Sequence, residues 1–182
     1  METDSTRGGL LEKAVKLWPW YVLIVVIAVA DQYTKALAVK EIALGEIIPV
    51  LPVFDLTLWR NYGAAFSFLD QQGGPQRWFL AGISAVASLF LVVWWIPAQK
   101  RMLTIAALSL IAGGAIGNLY DRAVLGYVVD FISVHYQQHR FPTFNVADAA
   151  ISVGAVLLFV EWFIFEPRDR RDQDNAEGNT DA

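Results

Sequence analysis

Four stretches of this 182-residue chain are almost free of charge, and their length restricts its fold more than anything else. The first runs from Leu17 to Ala30, meets Asp31 and Lys35, and continues apolar to Val39. The second is uncharged from Trp78 to Gln99 and the third from Met102 to Tyr120; the fourth carries only Asp148 between Phe141 and Val160. A helix crossing a bilayer needs about 20 mostly apolar residues. Transmembrane helices are therefore predicted near 17–39, 78–99, 102–122 and 141–163. Hydrophobic residues make up 55% of the chain and charged ones 18%, against roughly 25% charged in an ordinary soluble domain. One small core cannot hide that much apolar surface, which excludes a freely soluble protein. The absence of cysteine removes disulfide scaffolds, thiol nucleophiles and thiolate metal sites. A net charge of −4 without a basic run argues against nucleic acid as a partner.

Charge placement orients the spans. Arg7, Lys13 and Lys16 precede the first, Lys100 and Arg101 link the second to the third, and Arg168, Arg170 and Arg171 follow the fourth. The positive-inside rule then puts both termini in the cytoplasm and segments 40–77 and 123–140 on the outer face. Residues 1–16 are read as a cytoplasmic tail, 17–166 as a single membrane domain, and 167–182 as a polar, disordered tail. The first span has a rival reading as a cleavable signal peptide, since the apolar run ends Ala28-Val29-Ala30. Three further spans make a retained first span simpler. In the outer segments, Phe54–Trp59 alternates with period two, which predicts a strand. One face takes Phe54, Leu56 and Leu58, and the other takes Asp55, Thr57 and Trp59. Tyr127–Tyr136 is similarly rich in aromatic and β-branched residues, and Gln71–Pro75 marks a loop.

An ionisable group inside a membrane span is costly, so it marks a candidate site. Asp31 and Lys35 are four apart, share a helix face and can pair. Asn118 and Arg122 are also four apart, with Asp121 beside them, and Asn145 and Asp148 are three apart. Asp130 lies between Val129 and Phe131 on the second outer segment. All gather toward the outer ends of the spans. Two carboxylates sharing one proton can hydrolyse an unactivated amide. One draws a proton from water while the other protonates the carbonyl oxygen. Asp130 and Asp148 suit this best, because neither has a basic residue three or four positions away. Asp31 has Lys35, and Asp121 adjoins Arg122. Spacing alone equally allows Asp148 to cap a helix and Asp130 to end a strand.

Other patterns weigh less. His135 and His139 form an H-x-x-x-H pair without the glutamate of a zinc protease, and read as a surface loop. Gly113 and Gly117 suit close helix packing. A Ser–Lys dyad of Lys35 with Ser67 or Ser133 lacks a local signature. The same buried acids would also serve a small transporter or proton relay, or sit in a non-catalytic membrane scaffold.

Several strings now read together: Asp31-Gln32-Tyr33-Thr34-Lys35, Arg60-Asn61-Tyr62-Gly63-Ala64-Ala65-Phe66-Ser67, Gly113 through Arg122, Val129-Asp130-Phe131, and Phe144 through Asp148. The set closely resembles the lipoprotein signal peptidases (signal peptidase II) of the bacterial inner membrane. The resemblance spans about Trp20 to Val160. It implies a mainly α membrane protein, with four transmembrane helices, a small periplasmic β-sheet cradle and a short periplasmic helix near Phe66–Gln76. It also implies a metal-independent aspartyl endopeptidase without a cofactor. Such enzymes cut diacylglyceryl-modified prolipoproteins N-terminal to the lipidated cysteine, and the cyclic peptide globomycin inhibits them. Carried over, Asp130 and Asp148 are the catalytic dyad, and Asn61, Asn118, Arg122 and Asn145 position substrate and dyad. Asp31, Lys35, Asp121 and Gly63 support the site. The expected partners are prolipoproteins and membrane lipids, with the chain a monomer.

Overall fold

A computed structural model of the chain describes residues 3–63 and 76–165. Helix α1 spans Thr3–Glu41, so the tail expected before Leu17 is helical from Thr3, and the helix runs unbroken through Pro19 and Ala28–Ala30. Helix α2, Gln76–Phe90, passes through a π-helical turn at Leu91–Trp95 into the short α3, Ile96–Ala98. Helix α4 is Met102–Val124, and α5, Val146–Val160, runs into a second π turn at Glu161–Phe165. Among the described residues, four segments are long and apolar enough to cross a membrane: Val15–Glu41, Arg77–Ala98, Met102–Val124 and Val146–Phe163.

Helix α4 is the axis of the bundle. Of its most apolar stretch 56% is buried, against 22% for each of the other three. The cause lies in its small residues. A Cβ at Gly113 would come 2.9 Å from the Ile24 carbonyl oxygen of α1, and one at Gly114 would run into the Ala147 carbonyl of α5. Gly154 of α5 returns the contact, 2.6 Å from the Ala107 carbonyl by the same construction. The glycine pattern thus serves backbone-to-backbone packing, which membrane helices use because lipid supplies no hydrophobic drive between them. Val25, Val29, Val86 and Leu89 point outward and exposed, a lipid-facing belt.

The strands β1 (Ile47–Leu51), β2 (Phe54–Asn61), β3 (Val128–Tyr136) and β4 (His139–Arg140) form one antiparallel sheet in that order. The alternation located β2, and its polar face is the buried one. Asp55 and Thr57 are buried, while Phe54 and Leu56 are half-buried. The polar side chains turn inward because partners await them. Arg140 Nη1 donates to Asp55 Oδ2 at 2.7 Å, His135 Nε2 lies 3.3 Å from the same oxygen, and Thr57 Oγ1 donates to the Glu46 carbonyl at 2.6 Å. A register shift between Leu56 and Trp59 lets Leu58 turn inward as well. His135 and His139 do not lie in a loop. They occupy β3 and β4, joined by a tight turn with Gln137 at φ 53°.

Helix α5 begins at Val146, five residues later than the apolar run suggested. Pro142 has no N–H for a helix interior, and Phe144 belongs to the sheet. Its N–H donates to the Ile132 carbonyl at 3.0 Å, and its own carbonyl accepts from Phe131 and Ile132. Asn145 then caps α5, its Oδ1 accepting from Asp148 N at 2.9 Å. A small core of Ala38, Ile42, Leu58, Val129 and Phe131 fastens the sheet to the end of α1. The short helix expected near Phe66–Gln76 falls mainly on residues 64–75, which lie outside the described residues, as do Ser67 and the tail from Pro167.

Candidate active site

The ionisable residues singled out above converge where the last turns of α1 and α4 meet β3 and the first turn of α5. They form two layers. In the deeper one, Lys35 Nζ lies 2.7 Å from Asp31 Oδ2 and 2.8 Å from Asp121 Oδ2, and donates to Asn118 Oδ1 at 3.0 Å. An ammonium has three donors, so Lys35 is fully committed. Asp31 Oδ1 accepts from the N–H of Ala147, in the first turn of α5, at 2.9 Å. Asp121 Oδ2 accepts from Val129 N at 3.1 Å.

Arg122 forms no ion pair with Asp121 within 4 Å. Its guanidinium turns to the carbonyls of Gly63 at 3.2 Å and Asn118 at 3.4 Å. Adjacent residues on a helix point about 100° apart, so adjacency in sequence did not make a pair. Gln32 completes the layer and escaped the sequence reading. Its Nε2 donates to Asp121 Oδ1 at 2.8 Å, the Gly117 carbonyl at 3.1 Å and Asp31 Oδ2 at 3.2 Å. An uncharged residue at the edge of a span carries no mark of such a role.

The shallower layer holds Asp130 and Asp148. Asp130 Oδ1 accepts from Asn145 Nδ2 at 2.7 Å, and its Oδ2 accepts from Asn61 Nδ2 at 3.1 Å. Asp148 Oδ1 accepts from Asn118 Nδ2 at 2.8 Å. Asn118 therefore joins the layers, with its oxygen on Lys35 and its amide on Asp148. Asp130 is 1% exposed, and Asp148 is half-buried. Neither bland alternative holds, because Asn145 is the helix cap and Asp130 is the third residue of a nine-residue strand. Burial, followed by the negative charge of Asp148, raises Asp130 to about 7 from an ordinary 3.8, against the pull of hydrogen bonds from Asn61 and Asn145. A carboxyl that keeps its proton near neutrality beside a second carboxylate can act as an acid while its neighbour acts as a base.

A Ser–Lys dyad with Ser133 has no support here. Lys35 is tied to two carboxylates, and Ser133 Oγ accepts from Arg140 Nη1 at 3.2 Å. Gly117 is part of the geometry instead, since a Cβ there would lie 2.5 Å from Asp31 Oδ2. Gly117→Ala is expected to push Asp31 off Lys35 and to cost about 1–3 kcal/mol, as overpacking generally does. A lower thermal midpoint in detergent, with reduced activity, is the check.

Comparison with known proteins places the chain in a family. The family model described as signal peptidase (SPase) II matches residues 23–164. A lipoprotein signal peptidase of Acinetobacter baumannii is 46% identical over 175 residues, covering 96% of this chain and 99% of that protein. One from Pseudoalteromonas translucida is 48% identical over 166 residues, covering 89% of this chain and 98% of that protein. A bacterial membrane enzyme solved at 2.3 Å superposes with a TM-score of 0.71 at 31% identity, covering 79% of this chain and 87% of the other. With four apolar helices and a membrane enzyme as structural neighbour, the chain is a multi-pass membrane protein. It is a protease, and it belongs to the signal peptidase II family.

Proposed function

We propose that this chain removes signal peptides from diacylglyceryl-modified prolipoproteins by an aspartyl mechanism, cutting N-terminal to the lipidated cysteine. The observation that carries the mechanism is the pair Asp130 and Asp148, brought from β3 and α5 into one site and held by three asparagine amides. Family membership supports the substrate class.

In the proposed reaction, ionised Asp148 takes a proton from water as the oxygen attacks the scissile carbonyl carbon. Protonated Asp130 gives its proton to the carbonyl oxygen, so no free oxyanion forms. The tetrahedral diol then collapses, the C–N bond breaks, and a proton passes to the leaving amine. Asn118 aims Asp148, while Asn145 and Asn61 aim Asp130. Arg122 is assigned to hold the backbone at Gly63, and Asp31, Lys35 and Asp121 to brace Asn118 from below. The charge distribution supports an inner-membrane protein with cytoplasmic termini and the site near the periplasmic face.

Cleavage of a purified diacylated prolipoprotein, with the unlipidated form as control, tests this reading; equal cleavage of both would reject the substrate class. Chelators are expected to leave the rate unchanged, and loss of activity on chelation would reject the metal-free mechanism. The pH dependence follows from Asp130. Its protonated form is the working acid and is lost as pH rises through about 7, so the rate is expected to fall across that value. A rate that stays flat well above neutrality would move the proton elsewhere. A transporter or proton relay is not favoured, because the buried acids of the described residues gather at one end of the helices, apart from Glu161, which pairs with Arg101 at the other end.

A further inference from the structure

Arg77 stands outside the cluster, yet its hydrogen bonds lead into it. Helix α4 ends with the N–H groups of Leu125 and Gly126 both donating to the Asp121 carbonyl, at 2.7 and 3.1 Å. Gly126 adopts φ +87° to leave the helix. That closure passes over the next two carbonyls, those of Arg122 and Ala123, and helix ends must find outside partners for such groups. Arg77, at the start of α2, supplies them. Its Nε donates to the Arg122 carbonyl and its Nη2 to the Ala123 carbonyl, both at 2.7 Å. The planar guanidinium fork suits two neighbouring acceptors, and its charge sits at the negative end of the helix dipole. The fit is close: a Cβ on Gly126 would lie 3.0 Å from Arg77 Nη1.

We infer that Arg77 is a positioning residue for Asp130, acting through Arg122, Gly63 and Asn61. Each link is a hydrogen bond. Arg77 fixes the backbone of Arg122, whose Nη2 donates to the Gly63 carbonyl at 3.2 Å. The Gly63 N–H donates to Asn61 Oδ1 at 3.0 Å, which orients the Asn61 amide that donates to Asp130 Oδ2 at 3.1 Å. The connection between Gly63 and Gln76 is thus tied at both flanks to one residue, by the side chain of Arg122 on one flank and by its carbonyl on the other. The inference rests on the reading of Asp130 as catalytic, and it adds a residue that never touches the reacting atoms.

The test uses the full-length enzyme in lipid, with kcat, KM and the pH–rate profile measured on a diacylated prolipoprotein. Arg77→Ala is expected to lower kcat about tenfold with little change in KM, since small misplacements of catalytic groups cost rate more than binding. It is also expected to move the alkaline limb of the profile upward, because the Asn61 hydrogen bond is one of the influences that lower Asp130. A merely structural role would not move that limb. In an Asn61→Ala background the limb is already displaced, and Arg77→Ala is expected to move it no further. Arg77→Lys keeps the charge without the fork, so it is the variant to use if Arg77→Ala does not fold; a smaller shift in the same direction is expected. A wild-type limb in whichever variant folds overturns the inference. Asp130→Asn and Asp148→Asn are run alongside. If they stay active, the dyad reading falls; if they are inactive while the Arg77 variants keep the wild-type limb, only the positioning role falls.

Discussion

Asp130→Asn is expected to reduce cleavage of a diacylated prolipoprotein by about a thousandfold or more while the protein still inserts and folds, and Asp148→Asn to do the same. The magnitude follows from what a positioned acid or base contributes, about 10²–10⁴-fold each. Asparagine keeps the volume and one acceptor oxygen, enough for Asn118 in Asp148→Asn and for one of the two amides in Asp130→Asn, so packing changes little. It cannot exchange a proton, so the chemistry stops. Because the two groups act as one unit, the double variant is expected to be little worse than either single one. Near-normal cleavage by either variant, with correct insertion, would remove the dyad.

Lys35→Met should produce the largest loss of stability. Asp31 and Asp121 are 0% and 1% exposed, and Lys35 is their shared cation. Removing one partner of a buried ion pair costs about 3–5 kcal/mol, because the charge left behind has neither water nor counter-ion. The contrast is Lys40, only five residues away on the same helix. It pairs with Glu41 at 2.8 Å, but the two side chains are 76% and 62% exposed, and such pairs contribute about 0–1 kcal/mol. Lys40→Met is therefore expected to melt close to the wild type in detergent, and Lys35→Met far below it. Equal midpoints for the two variants would show that the buried cluster does not hold the bundle together. Lys35→Met also takes a partner from Asn118, so activity is expected to fall alongside stability as Asp148 loses its aim.

The spans and strands could be read from the chain because they depend on local patterns: gaps in charge, and alternation along Phe54–Trp59. What could not be read depended on distant partners. The inward turn of Asp55 needs Arg140, 85 residues later. The late start of α5 depends on Phe144 pairing with Ile132, which no feature of the Phe141–Asn145 run announces. Asp121 and Arg122 show the limit most directly. Adjacency suggested that they neutralise each other, but the helix points them apart, and Lys35 from another span takes the aspartate. Asp130 and Asp148 stood out from charge logic alone. Asn118 and Asn145 were marked only by their spacing from Arg122 and Asp148, and Asn61 not at all, because asparagine suits caps and turns as readily as active sites; the roles of all three came from the family resemblance.

The bond from the Ala147 N–H to Asp31 joins residues 116 apart, and it bears on how the protein is made. When α1 enters the bilayer, Asp31 has Lys35 one turn away but neither Asp121 nor Ala147, which are still to be synthesised. The first span must therefore wait, with a carboxylate half satisfied, until the third and fourth have arrived. Assembly of the bundle is thus tied to completion of the chain, since Asp31 gains its last partner only when α5 is in place.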